Sequence, residues 1–268
     1  MNDFLLNPFV LSAFSLWLYM TMLFFIALIK KDNSIADIGY GVAFIVVSYA
    51  GLFFGANPIG YTLSFVEFLL ILLVTIWGTR LALRIYLKNK GKPEDFRYAK
   101  WRAEWKFFYL RSYLQVFMLQ GIIVYLISLP ILLVTNMSGV DNTNIFLLSA
   151  GTCIWLIGFF FETLGDHQLD KFLKSPESRG HLMTTGLWRY TRHPNYFGES
   201  TMWWGIFLIA FSTGHDLWIF ALISPILITT LLLKVSGIPL LEAKMSQHSE
   251  WPEYASKTNA FLPWFQKK

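Results

Sequence analysis

The sequence predicts an all-α protein, a multi-pass transmembrane bundle of about seven helices with its N-terminus outside and its C-terminus cytoplasmic. Three observations predict it. Of 268 residues, 55% are hydrophobic and 15% charged, well under the roughly 25% charge of a soluble domain. The apolar residues gather in seven runs, 8–29, 36–54, 60–82, 110–134, 144–164, 196–213 and 216–233, each near the ~20 residues that cross a ~30 Å hydrocarbon core. The 22 lysines and arginines fall in or beside Lys30 and Lys31, the loops 83–109 and 165–195, and the tail after 233, while the N-terminus, 57–60, 136–144 and 213–216 carry none. The positive-inside rule puts the first set in the cytoplasm. The net charge of +5 is therefore topology and requires no nucleic-acid partner. The first cation is Lys30, so the opening lacks the basic n-region of a signal peptide and the first run is expected to be retained.

Taken in order, the first span is uniformly apolar. The second begins Ser34-Ile35-Ala36-Asp37-Ile38-Gly39-Tyr40-Gly41, with Asp37 at its mouth and Tyr40 one turn on along the same face. Two readings stand: Asp37 caps the helix and Tyr40 joins the interfacial aromatic belt, or the two form a catalytic acid pair. The third span carries Trp77, Arg80 and Arg84 and leads into Asn89-Lys90-Gly91-Lys92-Pro93. Arg80 and Arg84 share a face; they snorkel to headgroups or join Asn89 and Lys92 at an anion site. Residues 96–106 interleave aromatic and basic side chains, a pattern of interfacial anchoring. Gln120 and Gly121 lie in the middle of the fourth span, as an interhelical hydrogen bond or a ligand contact.

The fifth span runs into Glu162, Asp166 and Asp170, spaced by four, so three carboxylates line one face of a continuing helix. That is the pattern of a metal site or of a solvated helix end paired with Lys171 and Lys174; Glu162, flanked by phenylalanines, is not assigned to solvent. Then comes Gly186-Leu-Trp-Arg189-Tyr-Thr-Arg192-His193-Pro194-Asn195-Tyr196-Phe-Gly198-Glu199. Pro194 suits the first turn of a helix, from which Arg192, Asn195, Tyr196 and Glu199 fall on one face. A helix N-terminus with Arg189, Arg192 and His193 beside it favours a phosphate; lipid headgroups are the competing partner. A carboxylate such as Glu199 inside an apolar segment is costly and points to function. After the seventh span, Gly237-Ile-Pro-Leu-Leu-Glu242 and a tail with Trp251, Tyr254 and Phe261-Leu-Pro-Trp264 can fold back under the cytoplasmic mouth. The lone Cys153 rules out a disulfide or thiolate metal site within one chain. No Gly-x-Gly-x-x-Gly, Walker, Gly-x-Ser-x-Gly or His-Glu-x-x-His motif occurs.

Residues 186–199, with 162–168 before and 237–242 after, resemble the bacterial DUF1295 branch of the steroid 5α-reductase superfamily, a distant relative of the isoprenylcysteine methyltransferases. The resemblance implies one integral domain over 1–268 in a bacterial inner membrane, with 1–135 mainly on the substrate side and 136–268 mainly holding NADPH. It implies an oxidoreductase acting on a CH–CH group: hydride passes from NADPH to the β-carbon of a conjugated, carbonyl-activated double bond in a steroid-like or other lipid drawn from the bilayer. By motif, Asn89, Lys92, Asp166, Asn195 and Glu199 match cofactor-pocket positions, and Arg80 more loosely. Glu162, Lys174, Arg189, Arg192, His193, Tyr196 and Glu242 join them from the reading of the residues, with Asp37 and Tyr40 as the catalytic pair. The chain departs from the steroid reductases in having Asp37 and Tyr40 where they carry Gln-Glu, and Trp77 near their third-helix tyrosine. Arg192-His193-Pro194-x-Tyr196-x-Gly198 also resembles the methyltransferases, so a membrane methyltransferase using S-adenosylmethionine is the alternative reading, and a non-catalytic scaffold a third. The methyltransferases follow their last span with Arg and then Glu-Glu; this chain has Lys234 and the single Glu242.

Overall fold

A computed structural model describes residues 7–55, 62–136, 143–214 and 216–267, and among them every regular element is helical. Six helical stretches are long and apolar enough to cross a membrane: Pro8–Lys30, Ile35–Gly55, Phe65–Asn89, Phe108–Ile127, Ile145–Lys174 and Trp218–Met245. The chain is thus built as an integral, multi-pass membrane protein. The seventh expected span, 196–213, is a helix over Pro194–Phe211, but Asn195, Glu199, Ser200 and Thr201 make its first two turns too polar to join the six. The contacts divide the chain into two compact units, Met1–Thr143 with Thr213–Ala221, and Asn144–Ser212 with Leu222–Lys268.

In the first unit, α1 (Pro8–Lys30) opens on Asn7, whose side chain accepts the Phe9 N–H, and closes on Lys31 in the left-handed conformation. α2 (Ile35–Gly55) and α3 (Phe65–Asn89) cross where two glycines meet. A Cβ on Gly41 would lie 2.3 Å from the Gly78 carbonyl oxygen, so the backbones touch only because both side chains are absent. α3 starts on a capping box between Ser64 and Glu67 and runs past the apolar stretch to Asn89, since the residues around Arg80 and Arg84 favour helix as well. α4 (Phe96–Glu104) is short and amphipathic. The expected fourth span is broken into α5 (Phe108–Ser112), a π-helical turn (Tyr113–Met118), α6 (Leu119–Ile127) and α7 (Leu129–Asn136). Pro130, which has no N–H to donate, stands in the first turn of α7. Met20, Phe44, Leu70, Trp77, Phe117 and Ile127 are fully buried at the centre of the unit.

The second unit is organised on α8 (Ile145–Lys174) and α9 (Pro194–Phe211). Gly151, Gly158 and Gly165 recur every seven residues on α8 and meet Gly205, Gly198 and Pro194 in reverse order, which makes the pair antiparallel. A Cβ on Gly198 would lie 2.4 Å from the Glu162 backbone nitrogen, and one on Gly151 2.8 Å from the Gly205 carbonyl oxygen. A seven-residue period keeps one stripe facing the partner over several turns, so the helices stay in backbone contact along the seam. α10 (Ile223–Thr230), a π-helical turn (Leu231–Val235), α11 (Ile238–Met245) and α12 (Trp251–Lys257) complete the unit.

Candidate functional site

Two polar clusters form, one in each unit. In the first, Asp37 stands in the first turn of α2 with its carboxylate directed at α4. Arg97 Nη2 donates to Oδ2 at 2.8 Å and the Tyr98 hydroxyl donates to Oδ1 at 2.7 Å. Arg97 Nε also donates to Asp95 at 2.9 Å, and Asp95 caps α4 by accepting the Arg97 N–H. Next to this, Arg102 makes a bidentate pair with Glu94 at 2.7 and 2.9 Å, and Glu94 accepts the Asn33 N–H at 2.8 Å. The network ties α4 to the mouth of α2. Burial alone raises the Glu94 and Asp95 carboxyls, but the Arg102 and Arg97 bonds outweigh it and hold both below their usual range. Burial, reinforced by the Asp37 carboxylate, pushes the Tyr98 phenol far up.

Asp37 therefore bonds across to α4 while standing in the first turn of α2, where its charge also meets the helix N-terminus. The Tyr40 ring packs edge-on against Phe44 at 5.1 Å, and Phe44 against Trp77 at 5.2 Å. The sequence showed α4 only as an aromatic-basic anchor; the signal for its second role is the run Glu94, Asp95, Arg97 and Arg102, two carboxylates followed by two guanidinium groups. Between α1 and α6 of this unit lies a cavity of about 310 Å³ lined by Leu16, Trp17, Met20, Gly121, Ile122 and Tyr125 among others. Its walls are almost wholly apolar. The Trp17 N–H is donated to the Tyr113 hydroxyl and the Tyr125 hydroxyl to the Phe9 carbonyl, so the cavity suits hydrocarbon.

In the second unit the glycine seam lets α8 and α9 close on acidic side chains: Glu162 and Asp166 are each 3% exposed. Asn195 Nδ2 donates to Asp166 Oδ1 at 3.2 Å. The segment before α9 is fixed from several sides. Gly186, with φ of 63°, makes the turn that lets Leu187 donate to Gln168, and the Trp188 indole donates to the Gly165 carbonyl at 3.0 Å. The chain after α12 lies along this segment as a strap. Arg192 N–H donates to Asn259, Trp264 N–H to Tyr190, and the Thr191 hydroxyl to Phe261; the Tyr254 hydroxyl donates to Trp188. The tail thus folds back as the sequence suggested.

Arg192, 12% exposed, spends its guanidinium within the protein. Nε donates to Glu242 at 2.8 Å and Nη1 to the carbonyls of Ala255 and Thr258, while the group lies over the Trp251 ring. His193 is fully buried, stacked on Tyr196, with Nε2 at 3.1 Å from the same Glu242 oxygen. Burial pushes the imidazole below its ordinary pKa, against the opposing pull of Glu242. In the neutral ring with its proton on Nε2, Nδ1 is an acceptor, and like Asn195 Oδ1 it is buried without a hydrogen-bond partner among the described residues.

The structure therefore gathers Glu162, Asp166, Arg192, His193, Asn195, Tyr196, Glu199 and Glu242 around the start of α9, with Lys174 and Arg189 exposed at the same unit's surface. Arg80, Asn89 and Lys92 belong to the first unit, Arg80 within α3, Asn89 at its last residue and Lys92 just beyond it. Among the described residues no cluster of three His, Cys, Asp or Glu side chains is arranged to hold a metal ion. Missed from sequence were Arg97, Tyr98, Glu94 and Arg102 in the first cluster and Thr191 and Tyr254 in the second.

The chain is 25% identical over 239 residues to an uncharacterized protein of Schizosaccharomyces pombe, C594.04c, with 79% of this chain and 67% of that protein aligned. No solved structure matches it. The model of the DUF1295 family, described as a protein of unknown function, matches residues 23–259; spanning both polar clusters and all but the ends of the chain, that match makes this protein a member of the DUF1295 family.

Proposed function

We propose that the chain is a membrane-embedded, NADPH-dependent reductase that saturates a conjugated double bond in a steroid-like or other apolar lipid, with Pro194–Phe211 crossing the bilayer as a seventh span. The observation that carries the reading is the pair of buried acceptors two residues apart at the start of α9, His193 Nδ1 and Asn195 Oδ1, each lacking a donor among the described residues. Buried polar atoms are paired in nearly all native structures, and N–H donors such as a carboxamide or an amino group of NADPH fit both. Asp166 orients Asn195, Glu242 fixes the His193 tautomer, and the exposed Lys174 and Arg189 supply cations for phosphates. NADPH, when bound, supplies the hydride. The protein excludes water at the start of α9, where Trp188 and Tyr254 are buried, and so protects a reduced cofactor from side reactions. Tyr40 is the proton-bearing group we assign to the carbonyl oxygen, and Asp37 acts by position, holding Arg97 and Tyr98 at the mouth of α2. The apolar cavity against α1 supports a hydrocarbon-rich substrate drawn from the lipid.

Calorimetry on the detergent-solubilised protein tests the reading. NADPH is expected to bind and S-adenosylmethionine to bind weakly or not at all, with Asn195→Ala lowering NADPH affinity by roughly tenfold, the worth of a ~1.4 kcal/mol interaction. The opposite order of ligands would favour the methyltransferase, and no binding of either would favour the scaffold.

A further inference from the structure

The segment Trp105–Arg111 carries no acidic residue and separates its groups outward. Phe107, Tyr109 and Leu110 are 72%, 65% and 61% exposed, so three large apolar side chains point away from the rest of the protein beside two cations. Phe107 also adopts the left-handed conformation, φ 60°, which costs a bulky residue energy and persists only where the surroundings enforce it. The cations of this region are sorted into two kinds. Arg97 and Arg102 are turned inward onto Asp37, Asp95 and Glu94. Lys106 and Arg111 have no carboxylate partner among the described residues and lie instead over the rings of Phe107 and Trp105, at 5.5 and 5.9 Å. The segment runs directly into the membrane-crossing stretch Phe108–Ile127, so it sits at the depth where headgroups meet acyl chains.

We propose that Trp105–Arg111 is a binding site for anionic phospholipid, in which Phe107, Tyr109 and Leu110 enter the acyl boundary and Lys106 and Arg111 bind the phosphate. An aromatic-aliphatic tip between two cations complements a lipid whose charge lies above its hydrocarbon. The Arg102–Glu94–Asn33 and Arg97–Asp37 bonds fix α4, which leads into the segment, and the Arg102 guanidinium lies over the Phe108 ring at 4.3 Å. It is independent of the reductase reading, since it uses none of the proposed cofactor residues.

The test uses the full chain with Cys153→Ala and a nitroxide on Tyr109→Cys, in nanodiscs of phosphatidylcholine with and without phosphatidylglycerol. The label is expected to favour collisions with oxygen over a water-soluble nickel chelate, more strongly when phosphatidylglycerol is present. Lys106→Gln and Arg111→Gln should each weaken the phosphatidylglycerol dependence by roughly fivefold, as for one cation near an anionic leaflet, and the charge-conserving Lys106→Arg should retain it. Phe107→Ala should bring the label toward water in both lipids. A label equally water-accessible in both lipids, a lipid dependence that survives both charge removals, or a label shielded from both reagents as by a protein partner would each overturn the proposal.

Discussion

Replacing Arg192 by Ala should release the C-terminal strap. In the structure its guanidinium makes three hydrogen bonds, to Glu242 and to the carbonyls of Ala255 and Thr258, and lies 5.3 Å from the Trp251 ring centroid. Hydrogen bonds to a charged group contribute about 1.5 to 3 kcal/mol each, but the freed carbonyls regain water and Glu242 is 23% exposed, so the ion-pair share is discounted for screening. A net loss of about 3 kcal/mol is a reasonable figure, and it concerns the strap, since the Arg192 backbone bond to Asn259 survives in the variant. At 1.4 kcal/mol per factor of ten, the open population rises on the order of 10²-fold. Trypsin cleavage after Lys257 in the intact, detergent-solubilised protein measures that population when reclosing outruns cleavage. Arg192→Lys should recover little, because an ammonium cannot present a planar fork to three acceptors at once. Cleavage within about threefold of the parent, well under the expected effect, would refute the reasoning. The same experiment separates two ways of weakening NADPH binding: Arg192→Ala should do so together with strap opening, Arg189→Ala and Lys174→Ala without it.

Asp37→Asn and Tyr98→Phe should each destabilise the first unit by about 1 to 3 kcal/mol, the scale of a buried bond left with one partner, and should add less than fully in the double variant because they share the Asp37–Tyr98 bond, while Asp37→Asn also weakens the pair with Arg97; thermal unfolding of the three proteins checks this, and full additivity would place the two groups apart. Tyr40→Phe should lower turnover on the order of 10²-fold if Tyr40 is the acid; unchanged turnover would remove it from the site. His193 has a folded pKa below its unfolded value of about 6.5, so the unfolded chain takes up the extra proton and stability falls as pH drops below that value. His193→Gln should flatten the slope of melting temperature between about pH 6.5 and 5, and an unchanged slope would mean that other groups set it. Gly198→Ala should destabilise the second unit by more than the usual 1 to 3 kcal/mol of overpacking, because the new methyl meets the Glu162 backbone and not a movable side chain; a variant as heat-stable as the parent would show that the seam gives way.

Much of the fold was legible because bilayer crossing demands long apolar runs, and α1 and α2 match the expected 8–29 and 36–54 to within a residue or so. The end of α3 was drawn short for a physical reason: hydropathy reports where hydrocarbon stops, while the helix continues as long as Arg84 can be solvated or paired; for α8 the spacing of Glu162, Asp166 and Asp170 showed the helix continuing past the apolar run, as it does to Lys174. The polar start of α9 shows the converse, a helix whose first two turns carry Asn195, Glu199, Ser200 and Thr201 and are less apolar than the rest of the run. Within the site, Pro194 and the spacing from Arg192 to Glu199 gave the helix start and its face, but spacing cannot distinguish a guanidinium awaiting phosphate from one already satisfied by Ala255 and Thr258, more than sixty residues away. The same holds for Asp37. Its neighbour on the helix was visible in the sequence, whereas its hydrogen-bond donors lie on α4, beyond the whole of α3, and only the fold brings them together.

The second cluster and the packing of its unit are made by the same residues, and this sets how its function can be measured. Glu162 and Asp166 can be buried at 3% exposure because Gly158, Gly165 and Gly198 bring two backbones into contact and leave the carboxylates nowhere to go but the seam. A buried acidic group costs several kcal/mol unless other groups compensate it, so these carboxylates draw on the seam's stability as well as contributing to it, and Asn195 already serves Asp166 with one of its two donors. Substitution at Glu162 or Asp166 therefore changes helix packing and ligand contacts together. Asn195 Oδ1 and His193 Nδ1 differ in this respect: neither has a hydrogen-bond partner among the described residues, so altering these acceptors removes no bond seen there. Asn195→Asp keeps an oxygen at Oδ1 but loses the donor to Asp166 and brings two carboxyls together, whereas His193→Gln can keep an N–H toward Glu242 while changing what faces Nδ1. A loss of NADPH affinity in His193→Gln with the strap still closed to trypsin would thus report on the ligand alone, and full retention of affinity would mean that the buried acceptor serves the protein's interior and not a cofactor.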